Sequence, residues 1–223
     1  MTVARTYRIS ALASGFVRMW RGWQVVIPTV IANAILQGGL AVIPSSAGDA
    51  TSLLLGLLSA VVFLIAYGLT LSCAVQVADA TVGWTRAVAR LRSRGLPFML
   101  TTIGFGIVVL VGLAIFTIPG WLVLSIGVFV PTAAMAGPGN PVRRGLATIR
   151  RRPGRWLVTI LITALVVLIG SYLMGITAFF IRGFAAATLV WLVGGLLIAW
   201  LTTAFALIYR DAWGPSTSSS ASP

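Results

Sequence analysis

The residues that could carry out chemistry are few. The chain has three aspartates, Asp49, Asp79 and Asp211, one cysteine, Cys73, and sixteen arginines, and it contains no histidine, glutamate or lysine. Hydrolysis and group transfer need a poised base, a metal or an activated nucleophile, and no histidine, lysine or neighbouring pair of carboxylates is present to supply one. A single cysteine without histidine cannot hold zinc. We therefore expect a protein that is not an enzyme and that uses no cofactor or metal.

The elements that would position these residues are apolar helices. Of the 223 residues, 59% are hydrophobic and 9% are charged, and the mean hydropathy is +1.04. Such a chain needs a bilayer as its solvent. Runs of about the ~20 residues that span a bilayer cover residues 23–43, 52–78, 98–118, 121–136, 156–180 and 184–209. The fourth run is short and carries Pro131, so it is either a kinked span or a segment that re-enters without crossing.

The domain organisation follows from these runs. We predict a single transmembrane domain over residues 1–211 and a disordered cytoplasmic tail over residues 212–223, because the tail lacks apolar content. Pro119 and Gly120 are predicted to reverse the chain between the third and fourth helices. The expected fold is all-α, with about six transmembrane helices arranged as three hairpins.

The arginines indicate an orientation. With six crossings, fifteen arginines fall on one side and Arg182 alone falls on the other. Short arginine-rich loops stay in the cytoplasm, so we expect a multi-pass protein with both termini cytoplasmic. The absence of lysine beside abundant Ala, Val, Gly and Arg is typical of a bacterial genome of high GC content, which points to a bacterial inner membrane.

An arginine-rich segment with helical periodicity precedes each hairpin. We predict three short amphipathic elbow helices that rest in the headgroup layer. Their arginines are candidate contacts for anionic headgroups or for an acidic partner surface, and simple orientation and anchoring is the alternative role. Nucleic acid is not an expected partner. The candidate residues are Arg86, Arg90, Arg94, Arg143, Arg144, Arg150, Arg151, Arg152 and Arg155.

Polar residues inside the apolar runs should face protein, water or ligand. Asn33 and Gln37 share a face of the first helix, and Ser72 and Gln76 share a face of the second. We predict that these faces meet and that their side chains bond across, with a polar site for a lipid headgroup as the alternative. Asp79 is expected to pair with an elbow arginine.

Two further patterns combine small residues at helical spacing. Gly195, Ala199 and Thr203 form a helix-packing seam in the sixth helix, and Ser171 with Gly175 forms another in the fifth. Such seams suit packing within the chain and contact with another chain equally well.

The arginine-rich segments enter hairpins at Leu96-Pro97-Phe98 and at Gly154-Arg155-Trp156. This layout, over about residues 5–211, resembles that of small polytopic membrane proteins of actinobacteria, and among them the lipid uptake coordinators that accompany mycobacterial Mce lipid importers. It looks more loosely like the membrane domains attached to bacterial glycerophosphodiesterases. The first resemblance implies the permeases of a lipid transporter as partners, and neither resemblance supplies a catalytic residue.

These observations lead to two hypotheses about function. The first is a non-catalytic accessory or regulatory subunit that docks onto a larger membrane complex, with a bacterial lipid transporter as the leading candidate. The second is an autonomous passive carrier of lipid or small molecules, with a site near Asn33, Gln37 and Gln76. Membrane lipids, with anionic headgroups, and other integral membrane subunits are the expected partners.

Overall fold

The computed structural model describes residues 7–43, 50–80, 82–115 and 117–214, and within these ranges it is helical without a β-strand. A 3-10 turn, Trp20–Gly22, joins α1 to α2. The helices are α1 Tyr7–Met19, α2 Trp23–Ala41, α3 Ala50–Ala78, α4 Trp84–Ile115, α5 Thr117–Gly127, α6 Val130–Ala136, α7 Pro141–Arg151, α8 Pro153–Phe180 and α9 Gly183–Trp213.

Five helical stretches are long and apolar enough to cross a membrane, by length and composition. They carry many large apolar side chains on their outer surfaces, which an aqueous protein would bury. The predicted all-α polytopic membrane fold is confirmed. The five stretches are Leu12–Ala41, Ala50–Ala78, Trp84–Ile115, Pro153–Tyr172 and Gly183–Trp213.

The fourth apolar run is divided into two short helices. Proline removes a backbone donor and its ring clashes with the carbonyl four residues earlier, and α5 ends at Gly127, four residues before Pro131. α5 runs antiparallel to α4, because Gly120 lies against Leu113 and Gly127 lies against Phe105. α6 also packs on α4 and α7, with Gly145 of α7 against Val130, so α5 and α6 together return the chain to the end at which α4 begins.

Pro119 and Gly120 do not reverse the chain, which corrects the prediction. Both residues lie inside α5, which begins at Thr117. Proline is tolerated there because the first turn of a helix has no intrahelical partners for its N–H groups. The predicted turn at 44–49 lies outside the described residues.

The arginine-rich segments meet at one end of the bundle, which we call the arginine end. The Cys73 thiol donates to the carbonyl of Gly22 at 3.7 Å, so the start of α2 lies beside the end of α3. The N–H of Gly83 donates to Gln76 Oε1 at 3.2 Å, which joins the end of α3 to the start of α4. The arginine end therefore contains residues 20–22, 79–80, 82–86, 140–155 and 210–213.

The three elbows differ in structure. α7 is a separate helix, as predicted, whereas α1 leads into α2 through the 3-10 turn and residues 84–97 are continuous with the membrane helix in α4. Pro97 is exposed, so the backbone bond that it interrupts lies on the outer side of α4. The next residue, Phe98, is fully buried against Gly68 of α3 and keeps α4 in line.

The last helix extends further than predicted. Residues 212 and 213, assigned from sequence to the disordered tail, form the final turn of α9. Trp213 stacks on Tyr209, with 6.3 Å between ring centroids, and this contact extends the helix beyond its apolar part. Gly214 follows at a φ of 79°, a conformation that suits glycine at a helix C-terminus. Residues 215–223 lie outside the described residues.

α9 lies at the centre of the bundle and contacts α1, α2, α3, α6, α7 and α8. α1 packs on its second half, where Trp200 Nε1 donates to the carbonyl of Leu12 at 2.8 Å. Gly15 of α1 lies against Ala204, so near that an added Cβ would stand 3.0 Å from the Ala204 Cβ. This close approach places α1 against the bundle.

Replacing Gly15 with leucine should therefore force α1 away from α9. We expect Gly15→Leu to lower the free energy of unfolding by about 1–3 kcal/mol, as overpacking generally does. Gly56→Leu is the matched control, because a Cβ on Gly56 of α3 would meet no atom within 4 Å. Thermal unfolding of both variants in detergent checks the prediction, and equal stabilities would contradict the packing of α1 on α9.

Candidate functional site

α7 is held against the end of α9 by an aromatic clamp. Its N-terminus is capped by Asn140, whose Oδ1 accepts from the N–H of Arg143 at 3.1 Å. Trp213 Nε1 donates to the buried Thr148 Oγ1 at 2.8 Å. The Arg151 and Arg144 guanidinium groups lie 3.9 Å and 5.3 Å from the centroid of the Trp213 ring, within the range of cation–π attraction.

Three arginines also reach the last residues of α9. Arg151 Nη1 donates to the carbonyl of Ala212 at 2.8 Å, and Arg152 Nη2 donates to the carbonyl of Asp211 at 3.3 Å. Arg155 pairs with the Asp211 carboxylate at 2.5 Å. Positive charge is favourable here, because the carbonyl groups at a helix C-terminus carry partial negative charge.

The structure divides the nine candidate arginines into two groups. Five bond within the chain. Four of them are the arginines just described, Arg144, Arg151, Arg152 and Arg155. The fifth is Arg90, which pairs with Asp79 at 3.9 Å as expected. In the second group, Arg86, Arg143 and Arg150 are exposed and Arg94 is half-buried. The second group is therefore the part of the candidate set that has no ion pair or cation–π contact among the described residues.

The intramembrane polar residues bond in a different register from the predicted one. Gln37 of α2 exchanges two hydrogen bonds with Ser59 of α3: its Nε2 donates to the Ser59 carbonyl at 2.8 Å, and the Ser59 hydroxyl donates to its Oε1 at 2.6 Å. Gln37 and Ser59 lie at similar distances along the chain from residues 44–49. An antiparallel pair of helices places such residues opposite each other.

Ser72 and Gln76 accordingly do not meet Asn33 and Gln37, and the predicted pairing of these faces is wrong. Both residues fix the α3–α4 junction instead. The Ser72 hydroxyl donates to the carbonyl of Ala87 at 3.0 Å, and Gln76 accepts the bond from Gly83. Sequence reasoning missed Ser59, although its distance from the loop was a usable signal.

Asn33 lines a small closed cavity between α2, α3 and α9. Its Oδ1 and the Oγ1 of Thr29 are buried and have no hydrogen-bond partner among the described residues. The cavity measures about 20 Å³, enough for one water molecule. Sites for small-molecule ligands are generally ~300–1,000 Å³, so this cavity does not admit a lipid.

The seam of Gly195, Ala199 and Thr203 lies between α9 and α2. An added Cβ on Gly195 would stand 2.8 Å from Val30 Cγ1. Ala199 is fully buried, and the Thr203 hydroxyl donates to its carbonyl at 2.7 Å. These small residues pack inside this chain, where they allow α9 and α2 to approach closely.

α8 buries few of its described side chains. Among its described side chains only Thr159 is buried. Trp156 attaches its first turn to α5, since Trp156 Nε1 donates to the carbonyl of Ser125 at 2.8 Å. Further along, Gly170 approaches Leu197 of α9.

The outer side of α8 carries a regular stripe that sequence reasoning identified only in part. Six exposed residues follow one another at alternating intervals of four and three. The exposed fraction of the Leu168 side chain is 68%. We call this set the α8 stripe: Leu157, Leu161, Ala164, Leu168, Ser171 and Gly175.

No protein-family model, curated protein or solved structure matches this chain. The arrangement of side chains is therefore the basis for functional inference. Among the described residues, no three His, Cys, Asp or Glu side chains come together as a metal site would require.

Trp213→Ala should release α7 from α9. Its hydrogen bond and two cation–π contacts together favour the docked helix by about 2 kcal/mol, so the released population should rise roughly 30-fold. Trypsin digestion in detergent, with cleavage after Arg143, Arg144, Arg150 or Arg151 followed by mass spectrometry, measures this change. Trp84→Ala, at the exposed start of α4, is the control. Equal cleavage of the two variants would contradict the clamp.

A double-mutant cycle of Gln37→Leu and Ser59→Ala should show coupling. We expect an interaction free energy of about 0.6 kcal/mol, with an upper bound near 1.7 kcal/mol for such bonds in membranes. Unfolding in mixed micelles of the two single variants and the double variant supplies the values. Additive effects would mean that the two side chains do not bond.

Proposed function

We propose that this protein is a non-catalytic accessory subunit that docks, through α8, onto a transmembrane helix of a larger membrane complex. The exposed α8 stripe is the observation that carries the proposal. A helix with one buried side chain among those described contributes little to the stability of its own bundle. A partner helix would supply the packing that α8 lacks.

The spacing of the stripe supports a helix as the partner. Residues at alternating intervals of four and three form one line along a helix, and a second helix crossing at about +20° follows that line. Lipid tails are as apolar as leucine, so close packing drives helix association in membranes. Ser171 and Gly175 let a partner approach the second half of α8, while Leu161 and Leu168 interdigitate with its side chains.

The limited chemistry of the chain supports a non-catalytic role. The sequence has no histidine, glutamate or lysine. Asp79 and Asp211, the two aspartates in the described ranges, each pair with an arginine. Such carboxylates serve the fold and are poorly placed to act as bases.

The orientation and the host are parts of the same proposal. The arginine end faces the cytoplasm of a bacterial inner membrane, since fifteen of the sixteen arginines belong to that side. The likeness to lipid uptake coordinators makes a lipid transporter the first host to test. The alternative, an autonomous carrier, finds less support because the cavity at Asn33 holds about 20 Å³ and Gln37 is bonded to Ser59.

Gly175→Leu should weaken docking. A Cβ at Gly175 or at Gly56 would meet no atom of the described residues within 4 Å, so the two positions are matched in the space that they offer a larger side chain. We expect recovery of a stoichiometric partner with tagged Gly175→Leu to fall about tenfold, because the leucine fills the space a partner helix needs. Gly56→Leu, on α3, should leave recovery unchanged. The measurement is quantitative mass spectrometry after purification in mild detergent.

A photocrosslinking side chain tests which surface of the protein contacts the partner. Placed at Leu168 in the α8 stripe, it should capture the same partner, whereas placed at Leu57 of α3 it should capture lipid. Wild-type protein recovered alone from native membranes, or equal recovery with the two leucine variants, would refute docking through α8.

A further inference from the structure

A long apolar groove lies between α4, α5 and the start of α7. Its volume is about 740 Å³, within the ~300–1,000 Å³ range of sites for small-molecule ligands. Gly104 leaves the groove open, since an added Cβ there would meet no atom within 4 Å. Its wall includes Leu100, Gly104, Val108, Val123, Ile126 and Leu146.

Two polar side chains in the wall bond within the chain. The Thr101 hydroxyl donates to the carbonyl of Pro97 at 2.6 Å, and Asn140 Oδ1 accepts from the N–H of Arg143. What the wall offers to a ligand is therefore almost entirely apolar surface. A hydrocarbon chain fits that surface, and a polar solute would lose its hydrogen bonds there.

The groove opens toward arginine at one end. A second hollow of about 510 Å³ lies on the outer face of α7 and contains Arg143 and Arg150. The two hollows share Asn140, Val142 and Leu146, so the apolar groove continues directly into the arginine-lined surface. Arg143 and Arg150 are seven residues apart, which places them on one face of α7, about 10 Å apart along its axis.

These two guanidinium groups have no anionic partner among the described residues. Asp79 lies beside Arg90 and Asp211 beside Arg155, while Asp49 lies outside the described ranges and the chain has no glutamate. No carboxylate of the described residues therefore balances the charge of Arg143 and Arg150, which leaves both side chains available to an anion from outside the chain.

We propose that the groove and the adjacent arginines bind an anionic glycerophospholipid of the surrounding bilayer. An acyl chain lies in the groove, and the phosphate lies between Arg143 and Arg150. From Leu100 to Val108 the groove follows α4 for about 12 Å, close to half of the ~30 Å hydrocarbon thickness. One leaflet, the leaflet at the arginine end, therefore supplies both the chain and the headgroup. The site uses α4, α5 and α7, so it does not depend on docking through α8.

Native mass spectrometry of the full-length protein, with phosphatidylglycerol or phosphatidylcholine added to the micelles, tests the headgroup. We expect wild-type protein to retain phosphatidylglycerol in preference to phosphatidylcholine. In the double variant Arg143→Gln, Arg150→Gln, binding of phosphatidylglycerol should fall about 30-fold, the effect of two arginines near a membrane surface. The control Arg21→Gln, Arg92→Gln removes the same charge at two exposed arginines that are not candidate contacts.

Gly104→Leu tests the groove separately. The leucine should occupy the path of the acyl chain and lower the binding of either phospholipid about tenfold. Gly106→Leu, two residues further along α4, is the control, because a Cβ at Gly106 also meets no atom within 4 Å and Gly106 is not part of the wall.

Each result decides one part of the proposal. Equal losses in the two arginine variants would assign the lipid to diffuse attraction and overturn the headgroup site. Unchanged binding in Gly104→Leu would overturn the acyl-chain site. Displacement of bound lipid by an acidic helical peptide, without preference among lipids, would assign the groove to a protein ligand. Loss of the α8 partner in Gly175→Leu with lipid binding intact would separate this site from docking.

Discussion

The packing of α1, α2 and α3 on α9 positions the rest of the bundle, because lipid provides no hydrophobic force that would bring transmembrane helices together. At Gly15 and Gly195 the backbones approach so closely that any larger side chain would overlap Ala204 or Val30. Trp200 then bonds the backbone of α1. Because these contacts position α9, its last turn lies at the arginine end, where α7 packs against it.

The arginine end has two layers with different roles. In the first layer, Arg144 and Arg151 of α7 contact the Trp213 ring. Hydrogen bonds or an ion pair with the last residues of α9 come from Arg151, Arg152 and Arg155. These charges stabilise the fold. Arg143 and Arg150 occupy the opposite face of the same helix and remain available for other molecules. α7 therefore has one face in the protein and the other beside an apolar groove, and in the proposed site this second face holds the lipid headgroup.

Several elements could be predicted because they depend on local composition. The apolar runs gave five of the spanning helices to within a few residues at most ends, and the ion pair of Asp79 follows from its position at the end of a helix beside an arginine-rich segment. The interruption at Pro131 was also visible in the sequence. The continuity of α4 through Pro97 could not be predicted. Phe98 stabilises the helix there through a contact with Gly68 of α3, thirty residues earlier in the sequence.

The sequence by itself determined that the chain belongs in a lipid bilayer, that its arginines are distributed unequally and that ordinary catalytic groups are absent. Transfer of a helix into lipid depends on the sum of its own side chains, which can be read without knowing the fold. Tertiary structure alone decided which polar groups meet, which arginines are engaged and where a groove remains. Those outcomes depend on register: the antiparallel pairing of α2 with α3 joins Gln37 to Ser59, and the docking of α7 on Trp213 directs Arg144 inward and leaves Arg143 outside.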